Sequence, residues 1–168
     1  MTKLKWKKIV ARRARDVLAT ATLSDESHLL LDDEITPEAF IEALQSEGQL
    51  FDAANSMAHL LPRREAVWWA CMCARQMQTV IDEKSEQLAL SAAEKWVYEP
   101  TDERRAVAFQ AAQDSKTDSG GVLCALAAAF SGAALPVASE QTLDVDVNKF
   151  PGLVFAVIGL AATEGDGS

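Results

Sequence analysis

The sequence has little of what sandwiches, barrels and secreted scaffolds are built from. Its 168 residues include only eight glycines and five prolines, few of them inside the patterned segments. Runs of β-branched residues are few, and no stretch alternates apolar and polar residues for long. These scarcities exclude an all-β architecture and point to an all-α chain rich in alanine, the best helix former. There are three cysteines, Cys71, Cys73 and Cys124. An odd number, with two close together on one helix, makes no disulfide framework and fits a reducing, cytoplasmic setting. No apolar run approaches the roughly 20 residues of a spanning helix. The basic N-terminus is not followed by an apolar stretch, so neither a secretory nor a twin-arginine signal is expected.

What is present is a large supply of apolar side chains, 49% of residues, and a net charge of −9. The charge is uneven. Lys3, Lys5, Lys7, Lys8, Arg12, Arg13 and Arg15 make the first fifteen residues +7 with no acid, so the rest carries −16. Two readings of this segment stay open: a basic helix docked near an acidic body, or a contact arm for nucleic acid or an anionic membrane surface. The length suits one domain, residues 1–168, with a basic N-terminal helix over 1–22 and a loose tail over 164–168.

Residues 62–77 organise the chain. Pro62 suits the first position of a helix and Glu65 its positive end. No residue from Ala66 to Ala74 is polar, which predicts a buried central helix enclosed on most sides. Val67, Trp68, Trp69 and Cys71 are its expected core residues, joined by Trp96 from a later helix. In chain order, Val10, Ala14, Val17 and Leu18 pattern a first amphipathic helix, and Ser24 starts a short second one. Thr36-Pro37-Glu38 is a strong helix start and Gly48 a stop. Leu50, Ala53, Ala54, Met57 and Leu61 pattern the next stripe. Beyond residues 82–85, the expected joint, Leu88, Ala89, Ala92, Ala93, Trp96 and Val97 repeat at helical spacing, and Thr101 caps a helix expected to bury Val107 and Ala108. An Ala-rich helix over 122–132, an extended segment over 136–149 and an apolar helix over 150–163 follow. The whole predicts an irregular bundle of about seven to eight helices. No fixed-period repeat argues for a solenoid.

Catalytic patterns are weak. Cys71 and Cys73, two apart on a helix, point about 200° from each other and cannot grip one metal together. His59 reads as a packing or capping residue. The Ser-Gly pairs at 119–121 and 131–132 match neither a nucleophile elbow nor a phosphate loop. The acidic turn Asp32-Asp33-Glu34 lacks the glycine and spaced ligands of a calcium loop. The expectation is a non-enzymatic protein with no cofactor and no metal. Arg63 and Arg64 could hold an anion at the helix entrance or pair within the fold.

The run Pro62-Arg63-Arg64-Glu65-Ala66-Val67-Trp68-Trp69, with Ala58-His59-Leu60-Leu61 before it, resembles the hallmark of a bacterial domain family of unassigned biochemical function. The genes of that family tend to lie beside type VI secretion genes. The segment at 36–44, the helix carrying Ala93 and Trp96, and Phe130-Ser131-Gly132 look similar too. The resemblance implies a cytoplasmic accessory adaptor or co-chaperone that helps load an effector or spike-tip protein, through protein–protein contact. It carries over no catalytic residues. Candidate partner-binding residues are Arg63 and Arg64 at the helix entrance, and Val122, Leu126 and Phe130 along grooves flanking the 120–132 helix. The alternative is a binding module using the basic N-terminal helix on nucleic acid or an anionic membrane.

Overall fold

The computed structural model describes residues 8–77, 84–138 and 140–165. Among the described residues there are nine α-helices and one β-hairpin, so the expected all-α, multi-helix class holds. The helices are α1 (Arg15–Leu18), α2 (Asp25–Leu30), α3 (Pro37–Ser46), α4 (Leu50–Leu60), α5 (Arg63–Gln76), α6 (Lys84–Tyr98), α7 (Asp102–Asp114), α8 (Gly120–Ala129) and α9 (Phe150–Gly165). Strands β1 (Ala134–Ala138) and β2 (Gln141–Asp144) pair antiparallel inside the segment expected to be extended, and a 3-10 turn, Val147–Lys149, leads into α9. The chain divides into two compact units, Met1–Pro62 and Arg63–Ser168.

In the first unit, helix starts follow the local chemistry. Ser24 and Thr36 cap α2 and α3 by accepting from the amides of Ser27 and Ala39 at 3.2 Å each, and Pro37 takes the first turn of α3. Gly48 (φ 73°) ends α3 in a Schellman motif, with Gln49 N–H on the Leu44 carbonyl at 2.8 Å and Gly48 N–H on Gln45 at 3.1 Å. The core is Ala14, Leu18, Leu31, Phe40, Ile41 and Leu44, with Ala53 and Leu60 from α4. Each large apolar side chain there contributes about 1.5–3 kcal/mol.

The expected helix over 1–22 is corrected. Its described part, from residue 8, is helical only in the single turn α1, and Val10, expected on the packing face, is 89% exposed. A lone short helix is marginal without tertiary support, and Ala14 N–H instead donates to the Ile35 carbonyl at 2.8 Å. Ala14 and Leu18 are buried as expected. Residues 1–7 lie outside the described ones. In α4, Leu50 is exposed while Ala53, Ser56, Ala58 and Leu60 are buried, so the buried face is turned from the expected stripe.

In the second unit the enclosed helix is α8, not α5. It packs against α5, α6, α7 and α9 and buries eight of its ten residues. Being apolar all round, it needs neighbours on every side. A Cβ at Gly121 would lie 2.8 Å from the Glu86 carbonyl oxygen, so glycine there permits the close approach of α8 to α6. Helix α5 buries one side only, through Ala66, Val67, Ala70, Cys71 and Ala74. The absence of polar residues misled because the small side chains point inward and the large ones outward. Trp68 is 54% exposed, and Met72 is exposed as well. Trp68 is therefore not a core residue, Trp69 is half-buried, and Val67, Cys71 and Trp96 are buried as expected. Leu88 and Val107, expected in the core, are exposed; α6 and α7 turn Leu90 and Arg105 inward instead.

The hairpin pairs Leu135 with Leu143, with a register shift between Pro136 and Ala138. Leu135 and Val145 form a small core with Ala129, flanked by Ala106, Phe109 and Phe130. Helix α9 continues to Gly165 and packs on α5 and α8, with Phe150, Val154 and Val157 buried. No spanning segment was expected; the stretch Val147–Glu164 is long and apolar enough to cross a membrane by length and composition alone, and only 17% of it is buried.

Candidate functional site

The two arginines of the 62–69 run and one arginine of α7 share a task. The last carbonyls of a helix have no intrahelical donor and carry the negative end of its dipole, so a guanidinium is well placed there. Arg64 donates through Nε to Val97 O at 2.6 Å and through Nη2 to Tyr98 O at 3.3 Å, both on the last turn of α6. Arg63 donates to the Ser131 carbonyl just past α8, and its guanidinium lies 5.8 Å from the centre of the Phe150 ring. The segment thus ties α5 to the ends of α6 and α8 and to the start of α9.

Arg105 completes the arrangement from inside. It is 6% exposed and donates to the carbonyls of Ala129 (2.8 Å), Gly132 (2.6 Å) and Ala134 (2.8 Å), and to Asp102 Oδ1 at 2.9 Å. Its charge is held by four acceptors, as a buried guanidinium requires. A Cβ at position 132 would stand 2.9 Å from the guanidinium carbon, so the Ser131-Gly132 pair is the floor of this contact and not a nucleophile turn. Arg105 was not among the expected site residues. In the sequence it is one more charge on an apparently solvated helix, and only the glycine at 132 hinted at a close approach.

The groove expected along α8 is filled. Val122 is 3% exposed, Leu126 is half-buried, and Phe130 is half-buried against the hairpin core. Val122 therefore offers no partner surface, because α5, α6, α7 and α9 already occupy the sides of α8. Arg63 and Arg64 remain at the surface. Outward on α5 stand Trp68 and Met72, one turn apart, and at the end of α6 Tyr98 is exposed beside the Arg64 contact. Across the helix pair, Arg75 binds Glu94 bidentately at 2.7 and 2.6 Å.

The cysteines are packing groups. Cys71 and Cys124 are buried, and all three thiols are free. The Cys71 thiol and burial together push Cys124 well above the ordinary thiol range, and burial raises Cys73. Thiolate, the reactive form, is thereby disfavoured at both. Among the described residues no cluster of three or more His, Cys, Asp or Glu could hold a metal ion. His59 is half-buried, and burial lowers its pKa, consistent with a packing role; His28 is exposed.

In the first unit, Asp52 is the polar anchor. Its Oδ2 accepts from the Ser24 amide at 3.0 Å, Ser24 Oγ at 2.6 Å and Ser27 Oγ at 2.5 Å. Burial pushes the carboxyl up, yet the hydrogen bonds from Ser24 and Ser27, aided by His28, leave it below its ordinary value. Elsewhere in this unit Arg13 pairs with Asp16 (2.9 Å) and Glu34 (3.6 Å), and Arg15 with Asp33 (2.6 Å).

The profile of a family of unknown function, DUF6931, matches residues 40–168. The chain belongs to DUF6931. The match takes in every element of the second unit, including the DUF6931 portion that holds Arg63, Arg64, Arg105 and Gly132. No curated protein and no solved structure matches the chain.

Proposed function

We propose that this chain is a non-enzymatic accessory adaptor or co-chaperone that assists loading of a type VI secretion effector, or of its spike-tip carrier, in the cytoplasm. The observation that carries the reading is the double use of one segment. Arg63 and Arg64 fasten α5 to the ends of α8 and α6, while Trp68, one turn on, faces solvent. A loading adaptor needs a rigid scaffold and a surface that holds its client, and residues 62–72 contribute to both. The resemblance of residues 62–69 to a family encoded beside type VI secretion genes supports the choice of client.

The test is affinity purification of the full chain from its native bacterium, with mass spectrometry of what it carries. The proposal expects an effector, adaptor or spike-tip protein from one secretion cluster. Recovery of no secretion protein would overturn it.

A further inference from the structure

We infer that the outward side of α5 is a docking surface for an acidic, apolar helix of a partner protein, an inference that rests on the adaptor reading for the identity of the partner and on the geometry for its chemistry. Arg64, Trp68 and Met72 are four residues apart and share one side of the helix. Trp68 is 54% and Met72 44% exposed, while the side turned away from them holds the buried Ala66, Ala70 and Ala74. From Arg64 to Met72 the strip runs roughly 12 Å at 1.5 Å per residue. At its entrance Arg64 donates to the carbonyl of Tyr98, which is 84% exposed. Trp, Tyr and Arg are the residue types that carry most binding energy at interfaces, and Met adapts to varied partners.

The charge at the entrance selects the occupant. The hydrogen bonds of Arg63 and Arg64 all run to neutral main-chain carbonyls, and among the described residues neither arginine forms an ion pair. The Arg64 guanidinium at the head of the strip thus remains without a carboxylate on a chain whose net charge is −9. A partner acid placed over it meets complementary charge, and a basic segment meets repulsion. The i, i+4 ridge of one helix packs into the groove between the ridges of another, so the occupant that fits this strip is an amphipathic helix. Its acidic end lies over Arg64, and its apolar side chains lie over Trp68 and Met72.

The test uses the full-length protein and a phage-displayed library of random peptides of about 16 residues, roughly four helical turns. Selected peptides should share an apolar helical stripe with acid at one end. Trp68→Ser and Met72→Ser should each weaken the leading peptide by at least about ten-fold, as loss of an anchor does. Leu160→Ser, at an exposed apolar site on α9, should leave it unchanged. Changing the peptide's acids to Gln should also weaken binding. Thermal midpoints confirm that the variants fold, and Met72→Ser decides if Trp68→Ser does not. Failure to select a peptide, selection of peptides without acid, or equal binding by the variants would overturn the inference. A secretion protein that co-purifies equally with Trp68→Ser would overturn the docking surface and leave the adaptor standing. Acidic-peptide binding without any secretion partner would do the reverse.

Discussion

Arg105 and Gly132 are matched across the second unit. The guanidinium donates to the Gly132 carbonyl at 2.6 Å, and a methyl group on Gly132 would stand 2.9 Å from its central carbon. Gly132→Ala should therefore destabilise by about 1–3 kcal/mol, the cost of forcing a group into a filled site. Arg105→Met should cost about 3 kcal/mol, because the carbonyls of Ala129, Gly132 and Ala134 lose their donor. Urea unfolding measures both. Two variants as stable as the parent would show that the contact is not made in solution.

The tryptophans separate surface from core. Trp96→Ala should cost about 3–5 kcal/mol, as removal of a buried aromatic does, since Trp96 is buried on α6. Trp68→Ala should cost no more than about 1 kcal/mol, as for an exposed site. Equal losses in thermal or urea unfolding would place Trp68 back in the core.

Legibility followed the type of signal. Starts written in a few adjacent residues were readable, such as Ser24, Thr36-Pro37 and Thr101, and so was the Gly48 stop, because caps and φ > 0 positions are local chemistry. The facing of α5, α6 and α7 was not. On alanine-rich helices many rotations bury similar apolar area, and packing, not periodicity, decided that Ala66 and Ala70 turn inward and Trp68 outward. The 62–69 run was recognisable as a motif. Its use as helix-end clamps was hidden, because the acceptors Val97, Tyr98 and Ser131 are main-chain carbonyls, to which the sequence is silent.

Asp52 makes the first unit acid-sensitive. Its folded pKa lies below the ordinary carboxylate value, so its contribution is fully present above the unfolded pKa of about 3.9 and is lost as pH falls through the folded pKa. The stability difference between the parent and Asp52→Asn should be largest near neutral pH and shrink below about pH 4. Urea titrations across that range measure it. A difference that grows on acidification would contradict the assignment.

The thiols should react in order of exposure. Cys73 is half-buried, while Cys71 and Cys124 are buried. Iodoacetamide on the native protein at mildly alkaline pH should give a single slow adduct at Cys73, and three adducts after unfolding. Rapid native labelling of Cys124 would contradict its burial and its raised pKa.

The role proposed for this DUF6931 chain is to load a client for secretion. The most direct measurement is the secreted protein profile of a strain lacking its gene, compared with the same strain complemented by the wild-type chain. The expected result is loss of one effector from the medium, its return on complementation, and an apparatus that still fires. Normal export of every effector without the protein would contradict the claim.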